Sequence, residues 1–313
     1  MTTIVDAHHH LWDLRAPRYG WLQDAYDDSF FLGDYRAMCR DFLPTDLRRH
    51  VATADPTVTL AASVHIEAEC DREGNPHPAL AETRWLHEQY ALHGLPNAIV
   101  AWVDLLAPDA DEKLAQQAEF PLVRGVRFKP VVGRNVDDKP VGTGTLRDPG
   151  WHQALARLAA HGWRWDLRVP FWHLQEAAEM LQGAPPVPVV VNHTGLPWDR
   201  SEAGLAVWRT GMQALAALPN VYVKLSELAV KDRTWNVLEN ARIVVDAIAI
   251  FGWQRAIFAS NFPVAGLNAS YAEVLAMMRE AMTLAKLTDV QQRAVWHDNA
   301  LAFYDITIKE QSQ

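Results

Sequence analysis

The sequence predicts a closed parallel (β/α)8 barrel, a TIM barrel, and three observations carry that expectation. Eight short apolar runs recur along the chain, and most are followed by a stretch with helical spacing of apolar residues. The length, 313 residues, suits one large barrel. No Gly/Ser linker or low-complexity tract divides it, so residues 1–313 are read as a single domain.

The apolar runs lie at 3–7, 58–66, 98–103, 122–128, 163–169, 187–191, 221–225 and 256–259. Several are rich in β-branched residues and read as buried parallel strands. Helical patterns follow at 78–93, 109–118, 148–161, 173–182, 203–218, 236–251 and 270–284. Asp109 and Asp148 stand where a helix start favours an acid. Gly94, Gly162 and Gly252 stand where a helix end favours a left-handed residue. A doubly wound sheet is the competing arrangement, but it would carry a glycine-rich phosphate loop after its first strand. Here that strand runs into AHHHLWD, and the GTG at 142–144 lacks a third glycine. Two connections are long: 12–44 after strand 1 and 129–147 after strand 4. Loops after barrel strands sit at the catalytic end, so both are candidate lids or pocket walls, with packed surface insertions equally consistent.

Composition narrows the function. The formal net charge of -9 argues against a nucleic acid partner, while leaving room for an anionic small substrate in a locally basic pocket. Cys39 and Cys70 form no disulfide framework, which suits a reducing compartment. The start, MTTIVDAHHHLWDL, lacks a secretion signal, and no apolar stretch is long enough to span a bilayer. A cytoplasmic protein without a membrane partner is expected, and a homo-oligomer is compatible. Among the 13 tryptophans, Trp12, Trp172 and Trp198 follow strands, where their rings could wall a pocket.

The chemistry starts at Asp6-Ala7-His8-His9-His10. Strand side chains alternate, so His8 and His10 point one way and His9 the other. Two imidazoles in a barrel mouth can bind a metal or act on a substrate. The segment VVVNHTGLP aims a third, His193, at the same mouth, and FASNFPV puts Asn261 after the last strand. Arg127 and Lys129 share one strand face, as do Lys224 and Ser226; such cations suit a carboxylate or an oxyanion. Of the acids, Glu67 shares a face with His65 and is the best placed, ahead of Glu69 and Asp166. No HExxH, GxSxG or P-loop pattern is present.

The motifs DAHHHLWD, GVRFK, VNHTGLP, KLSEL and ASNFPV, in this order, resemble the amidohydrolase-2 family, and within it the sugar lactonases and pyrone dicarboxylate lactonase. The resemblance runs from Ile4 to about Leu301 and implies a (β/α)8 barrel that hydrolyses a cyclic ester. It implies that His8, His10 and His193 ligate a metal or polarise the scissile carbonyl, and that an aspartate after the last strand handles water. Asn261 occupies that aspartate position and can neither take a proton near neutral pH nor bind metal as an anion. The expected cofactor is therefore none, or a weakly bound divalent metal, zinc first. The expected catalytic set is His8, His10, His193 and Asn261, with Arg127, Lys129, Lys224, Glu67 and Trp12 contacting substrate. A histidine is the expected base, ahead of Glu67, and Asn261 is expected to orient the water or to donate its amide N–H to the carbonyl oxygen. A decarboxylase of the same superfamily and a barrel that only binds ligand are the alternatives.

Overall fold

The structure is a computed structural model that describes residues 1–15, 17–24, 26–71 and 78–308. Eight parallel strands pair in chain order: β1 Thr2–His9, β2 Val58–Ile66, β3 Ala98–Ala101, β4 Val123–Val126, β5 Arg164–Leu167, β6 Val189–Val191, β7 Val221–Leu225 and β8 Ala256–Phe258. The first and last strands meet at their C-terminal ends, where Asn261 N donates to His8 O at 2.7 Å and His10 N donates to Phe262 O at 2.8 Å. The result is a nearly closed (β/α)8 TIM barrel, as the sequence predicts.

The connecting helices are α1 Gly20–Gln23, α2 Pro44–Ala54, α3 Pro78–His93, α4 Ala110–Ala118, α5 Gly150–Ala160, α6 Leu174–Gln182, α7 Glu202–Ala216, α8 Val237–Phe251, α9 Tyr271–Leu284, α10 Asp289–Arg293 and α11 Asn299–Tyr304. Gly94, Gly162 and Gly252 have φ of 71°, 67° and 78°, the left-handed region expected at helix ends. Asp148 lies just outside α5, where its carboxylate accepts from Gly144 N and Gly150 N, both at 2.8 Å. The C-terminal helices α10 and α11 had no counterpart in the apolar periodicity because each is short. A Thr288–Gln291 capping box marks the start of α10.

The barrel separates two apolar layers. Ile4, Ile99, Leu167, Val189, Val191, Val223 and Phe258 face outward and pack with the helices. Val5, Ala7, Ala62, Val64, Ile66, Val100, Val190 and Ile257 fill the interior, closed from below by Phe303 and Tyr304 of α11. One register shift matters here. Asp6 pairs with Ser63, but the next pair is His9 with His65, so β1 holds one residue more than β2 between them. Asp6 can then face α9, where Tyr271 donates to it at 3.1 Å, while Ala7 and His8 both stay inside.

An ion pair sits within this floor. Lys224 donates to Asp166, and Asp166 also accepts from Asn192 Nδ2 at 2.9 Å and from the Tyr304 hydroxyl at 2.8 Å. Both charged side chains are fully buried. Removing one partner strands the other charge in a low-dielectric interior. Lys224→Met is expected to lower the unfolding free energy by about 3–5 kcal/mol in urea titrations. Tyr304→Phe, which removes one hydrogen bond to a charged group, is expected to cost about 1–3 kcal/mol.

Candidate active site

A cavity of about 260 Å³ opens at the C-terminal end of the strands. His10, Trp12, Arg127, Lys129, His193 and Asn261 line it, together with Trp21, Phe30, Phe31, Ala68, Glu69, Arg168 and Val264. His8 stands beside it, its ring centroid 4.4 Å from His193 and 5.2 Å from His10. The three histidines singled out in the sequence therefore converge. His9 turns away and meets His65 at 6.1 Å between ring centroids.

Each imidazole is held through one nitrogen. His10 Nδ1 lies 2.8 Å from Ile66 O and can only donate there, which leaves Nε2 for the cavity side. His193 Nδ1 lies 3.1 Å from the Ser226 hydroxyl. His8 Nδ1 is 3.5 Å from Lys224 Nζ, while its Nε2 is buried with no hydrogen-bond partner. Burial pulls all three pKa values well below the ordinary histidine range, and neighbouring positive charge adds to the shift: Lys224 at His8, Arg127 at His10, Arg168 and Arg127 at His193. The cluster is neutral at physiological pH.

The cations divide into two groups. Arg127 Nε donates to Glu67 Oε1 at 2.7 Å, and a second guanidinium nitrogen donates to Glu67 O at 2.6 Å. Glu67 thus orients Arg127 and is not free. Lys129 pairs with Glu69 and keeps 31% side-chain exposure; burial, opposed by Glu67, lowers its pKa to about 8. Arg168 forms no ion pair among the described residues, and its guanidinium lies 5.3 Å from the Phe31 ring centroid. Burial and then Arg127 lower its pKa to about 10, so it remains charged. Lys224 is not with them: it lies in the floor, neutralised by Asp166.

The connection after β1 walls the cavity. Trp12 and Phe42 exchange backbone hydrogen bonds at 3.0 Å, closing the base of this connection, and Trp21, Phe30 and Phe31 project from it. Trp21 Nε1 donates to Ala68 O at 2.9 Å and ties the wall to the end of β2. Of the residues 129–147 expected as a lid or wall, only Lys129 lines the cavity. Val136, Lys139 and Arg147 line a separate groove with Trp172. Trp198 packs against Phe31 and Trp172 at 5.8 and 5.9 Å and lines neither.

Two residues of this region escaped sequence reasoning. Arg168 stands two positions beyond Asp166 on the same strand face, the spacing that made Arg127 and Lys129 visible. Glu227 lies in the quoted KLSEL motif. It is 3% exposed and accepts a hydrogen bond from Asn261 Nδ2. Burial pushes its carboxyl up to about 7, against the lowering effects of Asn261, the Ala229 backbone and Arg168.

Residues 5–306 match the amidohydrolase family. The chain belongs to this family, and it is a hydrolase. It is 32% identical over 307 residues to the uncharacterized protein y4mH of Sinorhizobium fredii, covering 97% of this chain and 98% of that one. It is 28% identical over 311 residues to an L-fucono-1,5-lactonase of Burkholderia multivorans, covering 96% and 95%. Among solved structures, an amidohydrolase of Burkholderia multivorans superposes with a TM-score of 0.77 at 27% identity, covering 98% of this chain and all of the other. That protein has been crystallised with HEPES and with zinc. No helix among the described residues of this chain is long and apolar enough to cross a membrane.

Zinc in that relative makes a divalent metal the natural question for His8, His10 and His193. Neutral imidazoles with Nε2 available are suitable donors. Their arrangement is not: among the described residues no three His, Cys, Asp or Glu side chains are disposed to hold a metal ion. Arg168, which forms no ion pair among the described residues, also makes the surroundings positive, and Asn261 offers no compensating anion. The residues do not fit a tightly held metal.

Behind the wall, Glu82 accepts from Ala68 N at 3.0 Å and Tyr19 Oη at 3.2 Å. Burial, and then Glu67, push its carboxyl up to about 8 from 4.5. The folded state therefore holds this proton where the unfolded state has released it. The associated stability is full below pH 4.5 and is lost as pH rises toward about 8. Relative to Glu82→Gln, the parent is expected to lose unfolding free energy between pH 5 and 8.5; parallel pH curves for the two proteins would contradict the assignment.

Proposed function

We propose that this enzyme hydrolyses a small lactone that carries an anionic or oxygen-rich substituent. The observation that carries the reading is one cavity lined by uncharged imidazoles, by the cations Arg127, Lys129 and Arg168, and by an aromatic wall. The amidohydrolase membership and the lactonase relative support it.

Arg168 and Lys129 bind the substituent, and Arg127, aligned by Glu67, completes the positive rim. Trp12, Trp21 and Phe30 take the ring face, where flat or puckered rings stack alike. His10 donates a hydrogen bond to the carbonyl oxygen through Nε2 only when Nδ1 yields its own proton, so that role falls to His8, whose Nε2 has no partner. His193 takes a proton from water as the oxygen attacks the carbonyl carbon. The ring C–O bond then breaks, and the departing alkoxide receives that proton. Lactone and water become one hydroxy acid, which releases its carboxyl proton to solvent and leaves a carboxylate among the cations. No step needs a resident metal. The lyase alternative would place a metal among the same imidazoles, against the positive surroundings.

Arg168→Met and Lys129→Met are each expected to raise KM about tenfold or more for a carboxylated lactone, since a desolvated charge contact contributes about 1.5–3 kcal/mol. Unchanged kinetics in both would refute the rim as the binding element. Chelator-treated enzyme is expected to keep most of its lactonase activity; stoichiometric zinc that survives chelation, with activity lost on its removal, would overturn the metal-independent reading.

A further inference from the structure

Asn261 has two polar ends, and the protein holds one of them. Nδ2 donates to Oε2 of Glu227, while Oδ1 is buried without a hydrogen-bond partner among the described residues. An ionised carboxylate only accepts, so it admits one orientation of the amide. Glu227 also occupies a strained backbone position. Its backbone has φ of 46° and that of Asn261 has φ of 57°, a left-handed region costly for residues with a Cβ. Glycine at 227 would relieve that cost but would leave the amide of Asn261 free to turn over.

We propose that Glu227 is a positioning residue for Asn261: it holds Nδ2 away from the substrate, so that Asn261 presents its carbonyl oxygen and accepts a hydrogen bond from the attacking water. Of the two roles the sequence leaves to Asn261, orienting the water or donating to the carbonyl oxygen, this selects the first. The clause about water rests on the hydrolytic reading above; the orientation of the amide does not.

The constraint depends on the charge of Glu227, whose pKa burial pushes up to about 7. Protonated, Glu227 gains an O–H donor and can pair with either end of the amide, so one orientation is no longer imposed. The charged group acting on Glu227 is Arg168, from the end of β5. His193 reaches the same loop through Ser226 and is neutral, and Lys224 is occupied by Asp166.

Selective 15N-asparagine labelling of the full chain lets NMR follow the Asn261 side-chain amide, assigned by its loss in Asn261→Asp. The signal is expected to titrate with a midpoint near pH 7, and the titration to vanish in Glu227→Gln while the other asparagine signals stay in place. In hydrolysis assays Glu227→Gln should lower kcat about tenfold or more, leave KM within about twofold and lose the limb near neutral pH, with partial recovery in Glu227→Asp. An Asn261 side-chain signal with the same shift in the parent and in Glu227→Gln at every pH overturns the proposal whatever the enzyme hydrolyses. A titrating signal with undiminished kcat in Glu227→Gln overturns the role toward water. A titrating signal in an enzyme that hydrolyses no lactone overturns the lactone reading and leaves the amide orientation standing.

Discussion

The two backbone hydrogen bonds that join β8 to β1 are the constraint on which the site depends. They run from Asn261 N to His8 O and from His10 N to Phe262 O. The residues that close the barrel are thus the residues that line or flank its cavity. Backbone pairing fixes where the Cβ atoms of His8, His10 and Asn261 stand, so ring placement does not rely on flexible loops. The extra residue in β1 makes this compatible with the core. Without it, strict alternation would put Asp6 on the same face as His8 and His10. With it, Asp6 turns out to Ser260 and Tyr271, and the floor stays apolar except for the Asp166–Lys224 pair.

Charge then decides what the cavity accepts. In the floor, Lys224 and Asp166 cancel, and the Tyr304 hydroxyl and the Asn192 amide donate two further hydrogen bonds to the carboxylate. At the rim the balance is uneven: Arg127 has Glu67 and Lys129 has Glu69, while Arg168 forms no ion pair among the described residues. Positive potential in a desolvated mouth does two things at once. It adds to burial in keeping the imidazoles unprotonated, and it favours an anion over a cation as the incoming ligand. The same arithmetic of charge separates this cavity from a mouth built for a divalent ion.

Much of this was legible in the sequence because strands buried on both faces must be continuously apolar, and the β-branched runs at 58–66 and 187–191 leave little else for those residues to form. The outward turn of His9 followed from alternation alone. The bulge did not, since a single extra residue leaves no mark in composition. Lys224 shows the limit of face-sharing arguments. It lies on the inner face as its spacing implies, but depth along the barrel axis, which a sequence does not display, puts it in the floor beside Asp166. Glu227 was hidden for a related reason. Its partner is 34 residues away, and only the adjacency of β7 and β8 brings carboxylate and amide together.

Backbone strain marks the same ring of positions. Glu69, His193, Glu227 and Asn261 follow β2, β6, β7 and β8, and all four have φ between 46° and 57°. Each such residue costs of order 1–3 kcal/mol, so the surroundings must hold it there. They do so with short local bonds: Glu69 N donates to Glu67 Oε2 at 3.0 Å, Leu196 N to His193 O at 2.8 Å, and Asn261 N to His8 O. Thr194 and Ser226 lock the neighbouring loops, Thr194 Oγ1 donating to Ser226 O at 3.1 Å and accepting from Ser226 N at 3.2 Å. A left-handed residue turns the chain sharply away from the strand direction. Four such turns around one rim keep His193 and Asn261 at the mouth while the backbone departs for the next helix. The strain is therefore spread over separate strands, each anchored to its neighbour, and relaxation of any one turn would have to break bonds that also hold the adjoining wall.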